Sequence, residues 1–512
     1  MTRMRAAVRS LWATNNLEAL ASLEDCSVGL AYLDPPFNSG RSYEAILSAA
    51  RQNGRKHRDE AFKDQWNWSE SVGLLGERLD EWLSKRSANF VRNLARELQN
   101  NDTAAYLVAM APSLGEVYKK LTDQGSLYIH CDPAASHYLK VLLDHIFGPE
   151  NFRNEIIWKR THAHSSSRRY GPVHDSILFY SKSARYTWNP MYSQYRAEYI
   201  EQFFTQADER GRFQLITCTA PGDRTGTRAH YNWRGKLPPP GRHWAWKIEK
   251  MEEFEREGKL VYSSTGTPRL KRYVSDGAGV PMQDVWTDIN RLDAHSDERV
   301  GYETQKPVAL LERIISASSQ PGDLVLDPFC GTGTTLVAAE RLNRQWIGID
   351  SSLLASSLAL ARLRQVVHFK QISLKGFPSD RAQALALLER EPASFGLWGM
   401  SMLATLADRK TSSGRMATGT GKLTVKGKLV QLLSWVPLSD RPERVVPSLP
   451  QGRLAKVGFA LRTGAPLQKL CEWLRSNLNI SIHEIDVDNL VNADSLSKGV
   501  ASELPALAAG VK

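Results

Sequence analysis

Apolar and polar positions follow two different periods along most of the chain, and each period predicts a different element. Short apolar runs at 27–33, 126–130, 154–158, 175–180, 324–326 and 345–350 are typical of buried strands. Apolar positions at helical spacing predict helices over 103–122, 134–147, 307–316 and 334–342. Residues 50–85 are polar and are predicted to form a mobile excursion. Strands that alternate with helices in this way predict an α/β fold.

The alternation lapses in two places, which indicates more than one folded unit. Residues 185–295 are rich in Pro, Gly, Arg and aromatic side chains and are interpreted as an insertion presented by the sheet. After residue 370 the character changes again, and 409–428 has the composition of a loop within a separate C-terminal module. A chain of 512 residues also exceeds the roughly 250–300 residues at which one hydrophobic core stops growing. Two or three folded units are therefore expected.

A turn with two prolines, Asp34-Pro-Pro-Phe37, follows the first predicted strand. The prolines end the strand and hold a carboxylate, a backbone carbonyl and an aromatic ring in fixed relative positions. Such a set suits a planar amine, because Asp34 and the Pro35 carbonyl can accept its two N–H groups while Phe37 stacks on the attached ring. The alternative interpretation is a capped strand that proline terminates, without a chemical role.

A glycine turn, Asp327-Pro-Phe-Cys-Gly-Thr-Gly-Thr-Thr335, lies between the last two predicted strands, and Asp350 ends the second of them. A strand, a glycine turn, a helix and a strand with a terminal acid are typical of a nucleotide-binding unit. Glycines let a ligand approach the backbone, and a carboxylate can accept bonds from both ribose hydroxyls. A Gly-x-Gly pair alone often marks only a tight turn. No lysine follows in P-loop register, so a triphosphate site is not expected.

Positive charge and aromatic rings are concentrated in one part of the chain. The net charge is +11, and residues 151–250 hold 17 Lys or Arg against 8 Asp or Glu, together with 17 aromatic residues. Basic side chains interleaved with flat rings suit phosphate contacts and base stacking. A solvated insertion whose rings pack locally is the alternative interpretation.

The cysteines and the apolar runs bear on the location of the protein. Five cysteines lie at 26, 131, 218, 330 and 471, without disulfide-framework or metal-site spacing, which favours a reducing cytoplasm. No apolar run approaches the roughly 18 residues that cross a bilayer, so no membrane span is expected. The basic first residues precede no apolar signal core, so no cleaved targeting peptide is expected.

The two turns together carry a resemblance to a known family. With the Asp-Pro-Pro-Phe turn early and the glycine turn late, the sequence resembles the permuted β group of amino-directed DNA methyltransferases. Further matching segments are found at 304–307, 348–350, 128–132, 154–160 and 169–180, and the resemblance covers roughly residues 15–368 in family order. It implies a Rossmann-like methyltransferase with a mostly parallel central sheet and helices on both faces.

The resemblance implies methyl transfer from S-adenosyl-L-methionine to the exocyclic N6 of adenine in duplex DNA, after the base has been flipped out. Asp at the first position of the tetrapeptide is usual for adenine enzymes and Ser is commoner for cytosine N4, so Asp34 bears on the choice of base. No metal is required, because the sulfonium is already an activated leaving group. The implied catalytic residues are Asp34, Pro35, Pro36 and Phe37. The implied cofactor-binding residues are Thr304, Gln305, Lys306, Asp327, Phe329, Gly331, Thr332, Gly333, Thr334, Thr335 and Asp350. The implied DNA-binding residues are Arg160, Arg168, Arg169, Arg228, Arg234 and Arg242.

The resemblance also implies a division of the chain. Residues 1–159 would form the catalytic half, 160–295 an inserted target-recognition region, 296–370 the cofactor-binding half and 371–512 a C-terminal accessory α/β domain. Some relatives carry tails that resemble restriction-nuclease folds, which need clustered acids. Because no Asp or Glu lies between Asp408 and Asp440, an accessory DNA- or partner-binding role is expected instead.

Other functions stay open at this point. One is methylation of cytosine N4, and another is a non-catalytic DNA-binding or assembly subunit with a vestigial pocket. The expected partner is double-stranded DNA, with a partner restriction nuclease or a second copy of the chain left open. Restriction–modification, phage defence and epigenetic regulation are all compatible with the sequence. A bacterial or phage-encoded protein of the cytoplasm, associated with the nucleoid, is expected.

Overall fold

The computed structural model of the 512-residue chain describes most of residues 8–367 and parts of the remainder. The described residues are 8–36, 41–52, 55–64, 67–161, 170–277, 279–293, 296, 298–300, 302, 304–367, 371–391, 394, 398, 420–425, 428–433, 457–462 and 481–486.

The strands alternate with helices over the first third of the chain and again after residue 307. The described strands are β1 (Arg9–Ala13), β2 (Val28–Leu33), β3 (Arg41–Gln52), β4 (Arg55–Asp64), β5 (Leu121–Cys131), β6 (Phe152–Lys159), β7 (His174–Ser181), β8 (Tyr192–Ser193), β9 (Gln206–Asp208), β10 (Gly211–Thr217), β11 (Thr219–Pro221), β12 (Arg242–Trp244), β13 (Leu260–Tyr262), β14 (Pro268–Tyr273), β15 (Val280–Pro281), β16 (Val285–Trp286), β17 (Leu324–Asp327), β18 (Gln345–Asp350), β19 (Ser373–Lys375), β20 (Thr420–Val425), β21 (Lys428–Leu433), β22 (Val457–Arg462) and β23 (Ser481–Asp486). The described α-helices are α1 (Asn16–Ala21), α2 (Glu70–Glu77), α3 (Lys85–Glu97), α4 (Asp102–Lys120), α5 (Pro133–Phe147), α6 (Ala197–Phe203), α7 (Ile248–Arg256), α8 (Val308–Ser318), α9 (Thr334–Arg341), α10 (Leu353–Leu363) and α11 (Arg381–Arg390).

Nine of the described strands form one sheet in the order β16-β6-β7-β5-β2-β17-β18-β1-β19. The strands from β5 to β19 in this order are parallel neighbours, whereas β7 is antiparallel to both β5 and β6. Helices connect the parallel strands, as their crossover connections require. The predicted α/β fold is therefore confirmed.

Each face of the sheet has its own hydrophobic core. Val325 and Leu326 are adjacent in β17 and point to opposite faces, where each joins a different buried cluster. One cluster includes apolar residues of α8, α9, α10 and α11, and the other includes residues of α1, α3, α4 and α5. Because both faces are covered, β17 consists of an apolar run up to Asp327 rather than an alternating pattern.

Residues Pro190–Gln283 form a second compact unit, separate from the unit that holds the sheet. Its strands β13, β14, β10 and β9 form an antiparallel sheet, and β11 pairs with β12. Its small core contains Cys218, Trp233, Trp244, Met251 and Leu270. This unit lies within the segment 160–295 that was predicted as an insertion, and its assignment to target recognition stays a prediction.

The sheet and the helices depart from the predicted elements in three places. The predicted excursion at 50–85 contains β4, α2 and the end of β3, and α3 begins at its end. Helix α4 ends at Lys120 and β5 begins at once, five residues before the predicted strand start at residue 126. The main sheet continues past residue 370, since β19 pairs with β1 and the α11 residues Ala384 and Leu387 are buried in the core.

Candidate functional site

Three acidic residues lie where neighbouring parallel strands end. Asp34 follows β2, Asp327 ends β17 and Asp350 ends β18. Strand β17 pairs with β2 on one side and with β18 on the other. Because the carboxyl ends of parallel strands meet at one edge of a sheet, the three carboxylates converge there, which is where α/β sheets bind ligands.

A cavity of about 810 Å³ opens at this edge. It is lined by residues of the proline turn, Asp34 and Pro36, and by much of the glycine turn, including Asp327, Phe329 and Gly331. Two segments nearly 300 positions apart thus share one cavity, whose volume is within the usual range for small-ligand sites. The predicted cofactor residues Thr304, Gln305, Lys306, Thr332, Thr334, Thr335 and Asp350 also line it.

The carboxylate of Asp34 is engaged on one side only. Its Oδ2 accepts a hydrogen bond from the Lys306 ammonium, with an N–O distance of 2.5 Å. Its Oδ1 is buried and has no hydrogen-bond partner among the described residues. Pro36 lines the cavity and Pro35 does not. Phe37, the fourth predicted catalytic residue, lies outside the described residues.

Asp327 is buried at the base of the glycine turn. Its Oδ2 accepts a bond from the Thr335 hydroxyl at 2.5 Å, and its Oδ1 accepts one from the Phe329 amide at 3.0 Å. Burial raises the pKa of Asp327 to about 7. A carboxylate that burial disfavours in this way is suited to a cationic ligand group, which would stabilise its charge.

Asp350 holds the glycine turn from the end of β18. The Gly331 amide donates to its Oδ2 at 2.9 Å, and the Ser352 amide donates to its Oδ1 at 2.8 Å. Burial raises its pKa to about 6. Each carboxylate oxygen keeps acceptor capacity, so Asp350 can also accept from ligand hydroxyls.

The two glycines of the turn have different surroundings, and each excludes a side chain for a different reason. Both have positive φ, 49° at Gly331 and 73° at Gly333. A Cβ at Gly331 would meet nothing within 4 Å, and this glycine faces the cavity. A Cβ at Gly333 would lie 2.9 Å from the Cβ of Ala359 in α10, and Gly333 does not line the cavity. Close packing against α10 thus accounts for a glycine at 333, and its predicted contact with the cofactor stays a prediction.

The segment 304–306 lines the cavity, but two of its side chains have partners within the protein. The Gln305 amide donates to the Glu298 carbonyl at 2.8 Å and accepts from the Val300 amide at 2.9 Å, so it braces the chain that precedes it. Lys306 directs its ammonium to Asp34. Thr304 lines the cavity. The predicted role of these residues on the methionine side of the cofactor remains untested.

A buried arginine supports the turn from α10. The Arg362 guanidinium donates to the Thr332 carbonyl at 2.7 Å and to the Thr334 hydroxyl at 2.9 Å, and it lies 3.5 Å from Glu298. Burial lowers its pKa to about 10. Sequence analysis missed Arg362, since an arginine within a helix gives no sign of the loop that it contacts.

Several other residues at the cavity were also missed. Asn15 and Asn16 follow β1, another strand that ends at this edge, and this placement is the one signal that could have revealed them. The remaining lining residues come from elements whose proximity only the fold determines; they include Tyr32, Met110, Ser113, Tyr302, Glu391 and Ser394.

A row of buried polar side chains crosses the sheet beside the cavity. The Tyr32 hydroxyl lies 3.0 Å from His130 Nδ1, and His130 Nε2 lies 3.1 Å from Asp175. Arg160 pairs with Asp175 at 2.9 Å. His130 is fully buried, so a structural role fits it.

The arginines predicted to bind DNA have different environments. Arg228 is exposed, Arg234 pairs with Glu255 at 2.6 Å, and Arg242 donates to the hydroxyl and carbonyl of Thr219. Arg168 and Arg169 lie outside the described residues. DNA binding by these arginines stays a prediction.

Neither a metal-binding cluster nor a membrane-spanning helix is found in the part of the chain that the structure describes. No three His, Cys, Asp or Glu side chains are grouped so that they could hold a metal ion there. No described helix is both long and apolar enough to cross a membrane.

Curated proteins similar to the chain are DNA-modifying enzymes by name. The type II methyltransferase M.EcaI of Enterobacter cloacae is 39% identical over 260 residues, which are 51% of this chain and 57% of that protein. The Mod subunit of the type III restriction-modification enzyme StyLTI of Salmonella typhimurium is 25% identical over 65% of this chain and 49% of its own length. The DNA adenine methyltransferase YhdJ of Escherichia coli is 24% identical over 69% of this chain and 82% of its own length. The chain thus spans about half the length of the first two relatives.

Solved structures with a similar trace include the PvuII DNA methyltransferase (cytosine-N4-specific). It has 13% identity and a TM-score of 0.34, over 69% of this chain and 89% of that one. The M1.HpyAVI–SAM complex has 16% identity and a TM-score of 0.32, over 69% and 98%. We infer nothing further from likenesses at these TM-scores.

The DNA methylase family matches residues 28–359, which is more than half of the chain. The matched span begins in β2 and ends in α10, so it includes the proline turn, the glycine turn and the ends of β2, β17 and β18. This match supports the prediction of S-adenosyl-L-methionine as the cofactor. The chain belongs to the DNA methylase family.

Proposed function

We propose that the protein transfers a methyl group from S-adenosyl-L-methionine to the N6 amine of adenine in duplex DNA. One observation carries the proposal: Asp34 of the proline turn and the acid-flanked glycine turn line the same cavity. A catalytic pocket for an amine and a cofactor pocket must be contiguous for direct transfer, because the reacting atoms have to approach within about 3–3.5 Å.

The residues of the glycine turn fit the cofactor. Asp327 offers a buried carboxylate to its amino-acid ammonium, and Asp350 offers one to its ribose hydroxyls. Gly331 lines the cavity without a side chain and leaves room for the ligand. When bound, the cofactor supplies a methyl group on a sulfonium, which is an activated leaving group and needs no metal.

The proline turn fits the target amine. The lone pair of an exocyclic amine is delocalised into its ring, so the nitrogen becomes nucleophilic only when it pyramidalises. The Oδ1 of Asp34 has no hydrogen-bond partner among the described residues, so it can accept one N–H of the amine and favour that change. When the cofactor is bound, this nitrogen would form a bond to the methyl carbon as the sulfur–methyl bond breaks and leaves a neutral thioether, and Asp34 would accept the proton that the nitrogen loses. The Pro35 carbonyl and Phe37 are proposed to complete this set.

The choice of adenine rests on Asp34 and on relatives. Asp at this position is usual for adenine enzymes in the group that the sequence resembles, and one relative is named a DNA adenine methyltransferase. A flipped base costs a few kcal/mol, which DNA contacts elsewhere must offset. We assign that role to the predicted target-recognition segment 160–295, which includes the unit Pro190–Gln283.

The biological setting is proposed by analogy with the named relatives. Type II methyltransferases and type III Mod subunits belong to restriction–modification systems, so a partner restriction nuclease is proposed for this chain. The C-terminal segment from 371 is proposed to bind DNA or that partner. A cytoplasmic, nucleoid-associated location remains a prediction.

A direct assay tests the function. The protein is incubated with methyl-labelled S-adenosyl-L-methionine and plasmid DNA from a methylation-deficient host, and the DNA is digested to nucleosides. Label in N6-methyldeoxyadenosine supports the proposal. Label in N4-methyldeoxycytidine would show that cytosine is the substrate instead, and unlabelled DNA favours a non-catalytic subunit. Asp34→Ala is expected to keep cofactor binding and lose transfer. If Asp34→Ala keeps turnover, Asp34 has no part in the mechanism.

A further inference from the structure

Lys306 links the two halves of the proposed catalytic centre. It lies in the segment before α8, 272 positions from Asp34, and its ammonium is 2.5 Å from Asp34 Oδ2. Its side chain is 10% exposed and that of Asp34 is 17% exposed. An ion pair that is largely withdrawn from water holds its geometry better than a surface pair, because it is screened less by solvent and salt.

The Lys306 ammonium binds one of the two oxygens of the Asp34 carboxylate. Oδ2 has the ammonium as its donor, whereas Oδ1 is buried without a hydrogen-bond partner among the described residues. A buried acceptor without a donor is destabilising, so an N–H group that entered the cavity would relieve this cost. Lys306 thereby determines which oxygen is left for the substrate.

The backbone of Lys306 is itself fixed by the cofactor half. Its carbonyl accepts a bond from the Thr334 hydroxyl at 3.2 Å, and Thr334 also accepts from Arg362. On the other side, the Val308 amide donates to Glu298 at 2.8 Å. The ammonium therefore starts from a backbone that is anchored to the first turn of α9, next to the cofactor-binding turn.

We propose that Lys306 is a positioning residue for methyl transfer, which holds Asp34 through Oδ2 so that Oδ1 accepts the N–H of the target amine. This inference rests on the proposed function and changes the predicted role of Lys306, which the resemblance placed on the methionine side of the cofactor. A lysine that positions Asp34 affects turnover, whereas a lysine that holds the cofactor affects its affinity. The two roles are therefore separable by experiment.

The test compares Lys306→Met and Lys306→Arg with the wild type. Cofactor affinity is measured by titration calorimetry with S-adenosyl-L-methionine, and kcat is measured with plasmid DNA at saturating cofactor. Misplacement of a catalytic group can cost ~100-fold in rate. We expect Lys306→Met to lose kcat on that scale while cofactor affinity stays within ~2-fold, and Lys306→Arg to recover part of the rate. A Lys306→Met variant with wild-type kcat and weakened cofactor affinity would overturn the inference.

Lys120 provides a matched control. It is also a buried lysine, its ammonium pairs with Asp25 at 2.6 Å, and it does not line the cavity. Lys120→Met should lower the unfolding temperature without a change in kcat. If Lys120→Met lowers kcat as much as Lys306→Met does, the loss reflects general destabilisation and the inference fails.

A double-variant cycle checks that Lys306 acts through Asp34. Lys306→Met leaves the Asp34 carboxylate without its cation, and Asp34→Asn removes the charge that needs it. The stability loss in the double variant should be smaller than the sum of the two single losses, and an additive result overturns the pairing. This measurement needs no turnover. A wild type that binds the cofactor but methylates no DNA would instead refute the proposed function, while the cycle would still report on the pair.

Discussion

Cofactor binding should depend on pH through Asp327. Burial raises the pKa of this carboxyl to about 7, and the proposed contact with the cofactor ammonium requires it to be ionised. With a pKa of about 7, about 10% of the protein has Asp327 ionised at pH 6 and about 90% at pH 8. The Kd for S-adenosyl-L-methionine, corrected for the titration of the cofactor's own amine, should therefore be about 10-fold weaker at pH 6 than at pH 8.

The same shift has a consequence for the stability of the protein without ligand. The folded-state pKa of about 7 lies above the ordinary aspartate value of 3.8, so the folded state binds this proton more tightly than the unfolded state does. The stabilisation is fully present below about pH 4 and is lost as the pH rises towards 7. The cofactor ammonium offsets this loss, so the increase in unfolding temperature on cofactor binding should be larger at pH 8 than at pH 6.

Calorimetric titration of the wild type with S-adenosyl-L-methionine between pH 6 and pH 8 measures this dependence. Thr335→Val is an informative variant. The Thr335 hydroxyl donates to Asp327 and lowers the pKa of that carboxyl, so its removal should raise the pKa of Asp327. Its affinity curve should move to higher pH. The cofactor's own amine titrates identically in both proteins and cancels in the comparison. A flat Kd from pH 6 to pH 8, or coincident curves for the two proteins, would refute this reasoning.

Three further predictions follow from the contacts of the site. Gly333→Ala should destabilise the protein by about 2–3 kcal/mol and Gly331→Ala by about 1–2 kcal/mol, because both strain the backbone but only the alanine at 333 meets Ala359. Equal losses of stability in denaturant unfolding would contradict the packing argument. Arg362→Met should cost about 2–4 kcal/mol and weaken cofactor binding, because the Thr332 carbonyl loses its donor; thermal unfolding and cofactor titration measure both effects. Arg228→Ala should weaken binding to all DNA sequences and reduce the salt slope by about 1, and an unchanged slope in binding measured against salt would remove it from the interface.

The strands and turns that carry the acids were predictable from sequence, because their signals are local. The apolar run of β17, the glycine turn and Asp350 lie within one short stretch, and the rule that ligands bind at strand ends placed Asp34 with them. Contacts between distant segments were not predictable in the same way. The pairing of Lys306 with Asp34 and the support from Arg362 depend on how helices and loops pack around the sheet.

Short edge elements were missed for a related physical reason. Strand β19 has three residues, and a run this short has no periodicity to detect. Gly333 was assigned to the cofactor pocket because a glycine motif does not tell whether a ligand or a helix approaches the backbone. Its proximity to Ala359 shows that helix α10 approaches Gly333 in this chain, and a contact with the cofactor stays a prediction.

The position of β1 has a consequence for how the protein is made. This strand lies between β18 and β19, and its neighbour Val8 bonds to Gln345, which is synthesised 337 residues later. Likewise, β2 stays without one neighbour until β17 has left the ribosome. Pairings this distant in sequence form slowly and late. A nascent chain therefore carries Asp34 without a complete pocket around it until β17 and β18 have been synthesised, and the proposed catalytic centre first exists when the sheet closes.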